Sequence, residues 1–82
     1  MDKEEIIKTI NNLLVQEFEI NETLITPDSH LKDDLGLESL DFVDIAVLVK
    51  KEFGITLRGE EVTEIITMQN LYDYIFNYIQ KK

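Results

Sequence analysis

The 82-residue chain has no cysteine, no tryptophan, one proline, one histidine and three glycines. Without cysteine it can form neither a disulfide nor a thiolate metal site. A core this small must hold without staples, and such cores supply only about 3–5 kcal/mol. The absence of thiols suits a reducing compartment, and a cytoplasmic location is expected. The lone His30 leaves no His/Cys cluster for zinc, and the acids are not spaced as a calcium loop. No G-x-S-x-G elbow marks a serine hydrolase. No apolar run approaches the roughly 18 residues of a membrane span. Met1 is followed by DKEE rather than a basic and then apolar run, so no secretory leader is expected.

Cations are scarce too. Eight Lys and Arg face seventeen Asp and Glu, for a net charge of −9. Residues 17–49 hold nine acids and a single base, Lys32, giving −8, while the remainder has eight acids against seven bases. So concentrated a field argues against binding nucleic acid, whose phosphates need Lys and Arg. It suits either a solvated acidic surface or basic protein partners steered into contact.

What is present is helical periodicity within one domain spanning residues 1–82. Asp2 and Glu5 have capping-box spacing. Ile6, Ile7, Ile10, Leu13, Leu14 and Phe18 then share one face, predicting a helix over 3–18. Residues 19–38 lack a sustained period, and Pro27 within TPDSH reads as loop. Leu24, Ile25, Leu31, Leu35 and Leu37 predict that this long loop lies over the core. A second helix is expected over 39–53, closed by Gly54, with Lys50 and Lys51 at its negative end. A short helical turn is expected at 60–64, and a last helix over 68–80, capped by Thr67, with the stripe Met68, Leu71, Tyr72, Ile75 and Ile79. ITL at 55–57 resembles a strand but has nothing to pair with. The expected fold is all-α: a small four-helix bundle of three longer helices and one short one, with a long first loop.

The second helix is apolar nearly all round. Phe42, Ile45, Ala46, Val49 and Phe53 form one stripe, which reads as core. Leu40, Val43 and Val47 form another, beside Asp41 and Asp44. A surface helix needs only one buried face. The second stripe is therefore either a contact surface for another protein or is covered by the rest of the bundle. Ser39 stands at the start of this helix. It has the makings of an N-cap, and it lacks the adjacent base a nucleophile needs. A helix start also favours a phosphate, typically by about 0.3–1 kcal/mol at an exposed site, so Ser39 suits an attachment point that another enzyme modifies.

The stretch DLGLESLDFVDI, with Asp34, Leu35, Gly36, Ser39, Leu40, Asp41 and Asp44, resembles the phosphopantetheine-attachment motif of acyl carrier proteins, usually D-L-G-x-D-S-L-D. The resemblance runs on to ITMQNLYDYI, similar to that family's last helix. It implies a covalent 4'-phosphopantetheine on Ser39, installed from coenzyme A by a phosphopantetheinyl transferase. The arm's thiol would hold acyl groups as thioesters for acyl-loading, condensing and modifying enzymes of fatty-acid or polyketide-type synthesis. The protein itself would be a monomeric carrier and not an enzyme. This accounts for a serine without a base and a thioester carrier without cysteine, since the cofactor brings the sulfur. The resemblance further implies that Leu40, Asp41, Val43, Asp44 and Val47 meet partner enzymes carrying basic patches, with Glu60 and Glu61 extending that surface. It places cargo among Ala46, Val49, Leu57, Val62, Ile65 and Leu71. Gly36 would turn the chain before the helix. Glu38 replaces the usual Asp, and Lys50 and Lys51 reverse the charge of a helix end that commonly stays acidic. Both departures are expected to bear on partner choice, and Arg58 and Gly59 are expected to shorten the third helix. An aminoacyl or peptidyl carrier, and an unmodified acidic interaction domain, are the alternatives.

Overall fold

Helix α1 (Lys3–Phe18) begins where Asp2 accepts the Glu5 backbone N–H at 2.9 Å, so one orphan donor of the first turn is satisfied. The computed structural model describes residues 2–80. A short 3₁₀ turn at Glu22–Leu24 follows, then α2 (Ser39–Phe53), α3 (Gly59–Val62) and α4 (Met68–Gln80). The three long helices lie where the apolar periods place them. The third helix is a single turn that starts one residue earlier and ends two earlier than the acidic run suggests.

The core forms where the helical stripes meet. Ile6, Ile10 and Leu14 of α1, Ile45 and Val49 of α2, and Met68, Leu71, Tyr72 and Ile75 of α4 are buried together. Burial of such side chains is the main favourable term, about 25 cal/mol per Å² of apolar area. Polar contacts at the edge also join α1 to α4. Lys3 donates to Asp73 at 2.7 Å and lies 5.7 Å from the centre of the Phe76 ring. The Tyr72 hydroxyl donates to Asn11. Burial pushes the Tyr72 pKa up, and the Asn11 bond opposes that rise.

The long first loop is stitched down rather than loose. The Leu31 N–H donates to Ile66 O at 3.0 Å, Met68 N–H to Ser29 O at 3.0 Å, and Gln69 N–H to Pro27 O at 2.9 Å. His30 and Thr67 form an isolated antiparallel bridge. Leu31 and Leu37 are buried, and Ile25 and Leu35 half-buried, as the apolar pattern implies, and Ile20 is buried as well. Leu24 departs from it and lies exposed on the 3₁₀ turn. ITL is a connection outside helix and strand, anchored by buried Ile55. The loop's attachment to the start of α4 brings residues 30–33 alongside residues 62–66, next to the start of α2.

Candidate functional site

The start of α2 is built differently from a serine-capped helix. Gly36 takes φ 72°, the left-handed region that glycine enters without a Cβ penalty. A Cβ built there would meet nothing within 4 Å, so the requirement is conformational rather than one of space. Glu38 then occupies the extended cap position at φ −103°, ψ 173°. Its N–H donates to the Asp41 carboxylate at 2.8 Å. The expectation that Ser39 is the N-cap is thus corrected: the cap lies one residue earlier, because Asp41 reaches back to close the end at Glu38. Ser39 is the first helical residue. It is exposed, and its hydroxyl has no hydrogen-bond partner among the described residues.

The chain has one other serine, and it behaves in the opposite way. Ser29 is only 7% exposed. Its hydroxyl donates to Leu24 O at 2.6 Å and accepts from the Thr26 N–H at 3.0 Å. Ser29 is spent on the loop's internal structure, whereas the Ser39 hydroxyl has no such bond among the described residues.

Ser39 opens onto a cleft of about 440 Å³. Its walls are His30, Lys32 and Asp33 from the loop, Ser39 and Phe42 from α2, and Val62, Thr63, Ile65 and Ile66 from α3 and the segment after it. Beneath lies a small apolar cavity of about 10 Å³, lined by Leu31, Phe42, Ile45, Leu57, Val62, Ile65 and Leu71. Phe42, Val62 and Ile65 border both spaces and separate them. Among the residues implied for cargo, Leu57, Val62, Ile65 and Leu71 do meet at this inner cavity. Val49 instead borders a different small cavity with Ile10, Leu13 and Leu14, against α1. Ala46 borders neither. Sequence reasoning placed Phe42 in the core stripe and missed that it divides the cleft from the interior. It also missed His30, Lys32, Thr63 and Ile66 as neighbours of Ser39. The loop's long-range backbone bonds bring those residues there, and no local pattern encodes such bonds.

The second stripe of α2 is uncovered. Leu40 is 78% exposed, Val43 60% and Val47 61%. Asp44 is exposed beside them. Asp41 is half-buried and already engaged as the helix-closing acceptor. Glu60 is exposed, but Glu61 departs from the implied surface. It accepts the Tyr74 hydroxyl and so faces α4. Burial and the Glu61 carboxylate together push the Tyr74 pKa up to about 12. Lys50 and Lys51 end α2 on exposed positions, and the Gly54 N–H closes onto Lys50 O at 2.9 Å with Gly54 at φ 71°.

The family model of the phosphopantetheine attachment site matches residues 8–75. The chain belongs to the acyl carrier protein family. It is 34% identical over 82 residues to an acyl carrier protein of Coprothermobacter proteolyticus, covering 100% of both chains. It is 30% identical over 78 residues to one of Rubrobacter xylanophilus, covering 95% of this chain and 96% of the other. Over 55 residues it is 44% identical to the acyl carrier protein AcpXL of Rhizobium etli, covering 67% of this chain and 60% of that one. The family's cofactor is 4'-phosphopantetheine. The residues around Ser39 fit that group: an unencumbered hydroxyl, the backbone N–H groups of a helix start, and an apolar-floored cleft alongside. No helix of the described residues is long and apolar enough to cross a membrane.

Proposed function

We propose that Ser39 carries 4'-phosphopantetheine through a phosphodiester, and that this protein presents acyl groups to enzymes of fatty-acid or polyketide-type synthesis. When attached, the group supplies a terminal thiol on which an acyl chain is held as a thioester. One observation carries the assignment to this residue. Of the two serines, only Ser39 has an exposed hydroxyl without a partner among the described residues. No base is hydrogen-bonded to it, so the modifying transferase supplies the base. The first turn of α2 favours the negative charge that attachment brings.

The exposed Leu40, Val43 and Val47, flanked by Asp44, form the surface that partner enzymes meet. Exposed charge pairs contribute roughly 0–1 kcal/mol each and weaken with salt. Such contacts suit a carrier that must leave one enzyme to reach the next. Cargo that enters the bundle passes Phe42, Val62 and Ile65 toward the inner cavity. That cavity is nearly closed, so a chain of any length enters by moving these walls apart.

Intact mass measurement after incubation with coenzyme A and a broad-specificity phosphopantetheinyl transferase tests the reading. A single phosphopantetheine mass gain is expected, abolished by Ser39→Ala and kept by Ser29→Ala if that variant folds. No gain, under conditions that load a control carrier, leaves an acidic interaction domain instead.

A further inference from the structure

The cleft beside Ser39 has a cation that the acidity of its surroundings makes conspicuous. Lys32 is the sole base between residues 17 and 49, and it lines this cleft. Of its two acidic neighbours, Asp33 lines the same cleft and Asp34 does not. Asp33 faces the His30 imidazole, with Oδ2 3.7 Å from Nδ1. Asp34 accepts the His30 backbone N–H at 2.7 Å. Lys32 forms no ion pair among the described residues. Phe42, Val62, Ile65 and Ile66 line the same cleft and make part of its wall apolar. Ile66 is a large aliphatic side chain left 55% exposed. The volume of about 440 Å³ falls within the roughly 300–1,000 Å³ of small-molecule sites.

The cleft's lining holds the kinds of group the arm would meet, a cation and an apolar wall. A phosphodiester at Ser39 is an anion placed in a region of charge −8. The next portion of the arm is a branched aliphatic segment, followed by amides. We infer that Lys32 anchors the phosphate of the arm on Ser39 and lays the arm down in the cleft, against Phe42, Val62, Ile65 and Ile66, between encounters with enzymes. This inference rests on the attachment at Ser39 proposed above. Lys32 acts as a positioning residue: it sets where the arm rests and takes no part in its chemistry. Resting the arm there covers Ile66 and keeps the thiol near the mouth of the inner cavity.

The test compares apo and holo proteins by amide NMR, for the native sequence and for Lys32→Glu, Lys32→Ala and Lys32→Arg, after mass analysis has verified loading. In the native holo protein, attachment is expected to shift the amides of Val62, Thr63, Ile65 and Ile66 as well as those around Ser39. Lys32→Ala and Lys32→Glu are expected to shrink the distant shifts about two- to five-fold, the size of effect an exposed charge pair supplies. Lys32→Arg restores them, and added salt diminishes them in the native protein. Shifts confined to residues 38–42 in the native holo protein, or distant shifts indifferent to Lys32→Glu, overturn the inference while leaving attachment intact. Failure to load at all overturns both, and the mass measurement alone reveals it.

Discussion

Tyr74 of α4 donates its hydroxyl to the carboxylate of Glu61 on α3, tying the shortest helix to the last one. A four-residue helix cannot sustain itself, because nucleation costs more than one turn returns. This bond, with the half-buried Val62 and buried Ile65, is what keeps α3 in place over the inner cavity. Tyr74→Phe is expected to cost about 1 kcal/mol and to speed amide hydrogen exchange at residues 61–65 more than at α1. Equal protection in the variant and the native protein would show that apolar contact alone holds α3. Burial of the Tyr74 hydroxyl, together with this bond, also sets an alkaline limit. The folded pKa of Tyr74 is raised from 10.0 to about 12, so the folded state holds this proton more tightly than the unfolded chain does. The corresponding stability is fully present below pH 10 and is lost as pH rises through about 12. Denaturant midpoints measured across that window should fall less steeply in Tyr74→Phe.

Phe42 separates the Ser39 cleft from the inner cavity. Truncating a fully buried phenylalanine costs about 3–5 kcal/mol, and Phe42 is half-buried, so Phe42→Ala is expected to cost about 2 kcal/mol. It should also join the two spaces. A long acyl chain loaded on the holo protein should then recover more stability in Phe42→Ala than in the native sequence, as read by thermal unfolding. Equal recovery in both would place the cargo elsewhere.

Two aspartates on one helix face have different duties. Asp41 closes the end of α2, while Asp44, one turn along, is exposed and forms no ion pair among the described residues. Asp41→Ala should destabilise the fold by about 1 kcal/mol, the usual worth of a cap. Asp44→Ala should change stability by less than about 0.5 kcal/mol. Both should lower the kcat/KM of loading by a phosphopantetheinyl transferase, and the loss for Asp44 should shrink at high salt. An Asp44 variant that loads normally at low salt contradicts the partner surface.

The long helices were legible because their apolar residues recur at helical steps and their ends carry recognisable caps. Asp2, Thr67 and Gly54 behave at the helix ends as their residue types suggest. Ser39 also looked like a cap by type, yet glutamate holds that place, because the deciding contact comes from Asp41 three residues on. The site's neighbourhood was hidden for a different reason. The backbone bonds joining Leu31 to Ile66 and Ser29 to Met68 span more than thirty residues and use no side chain, so no residue type announces them. Glu61 was read by its charge as surface, whereas the partner that turns it inward, Tyr74, lies thirteen positions away.

Glu19 was equally silent in the sequence. It ends α1 in the left-handed region at φ 55°, a position glycine usually takes. Glu19→Gly is expected to relieve that strain and raise stability by up to about 1 kcal/mol, or about 4–8 °C in Tm for a domain of this size. A lowered Tm would mean that the glutamate side chain contributes more than its backbone costs.

The central claim concerns which atom bears the arm, and one measurement addresses it directly. Fragmentation mass spectrometry of the protein isolated from its own cells, with the modification mapped to a residue, should find phosphopantetheine on Ser39 and none on Ser29. A wholly unmodified population, or an arm borne anywhere other than Ser39, would contradict the account.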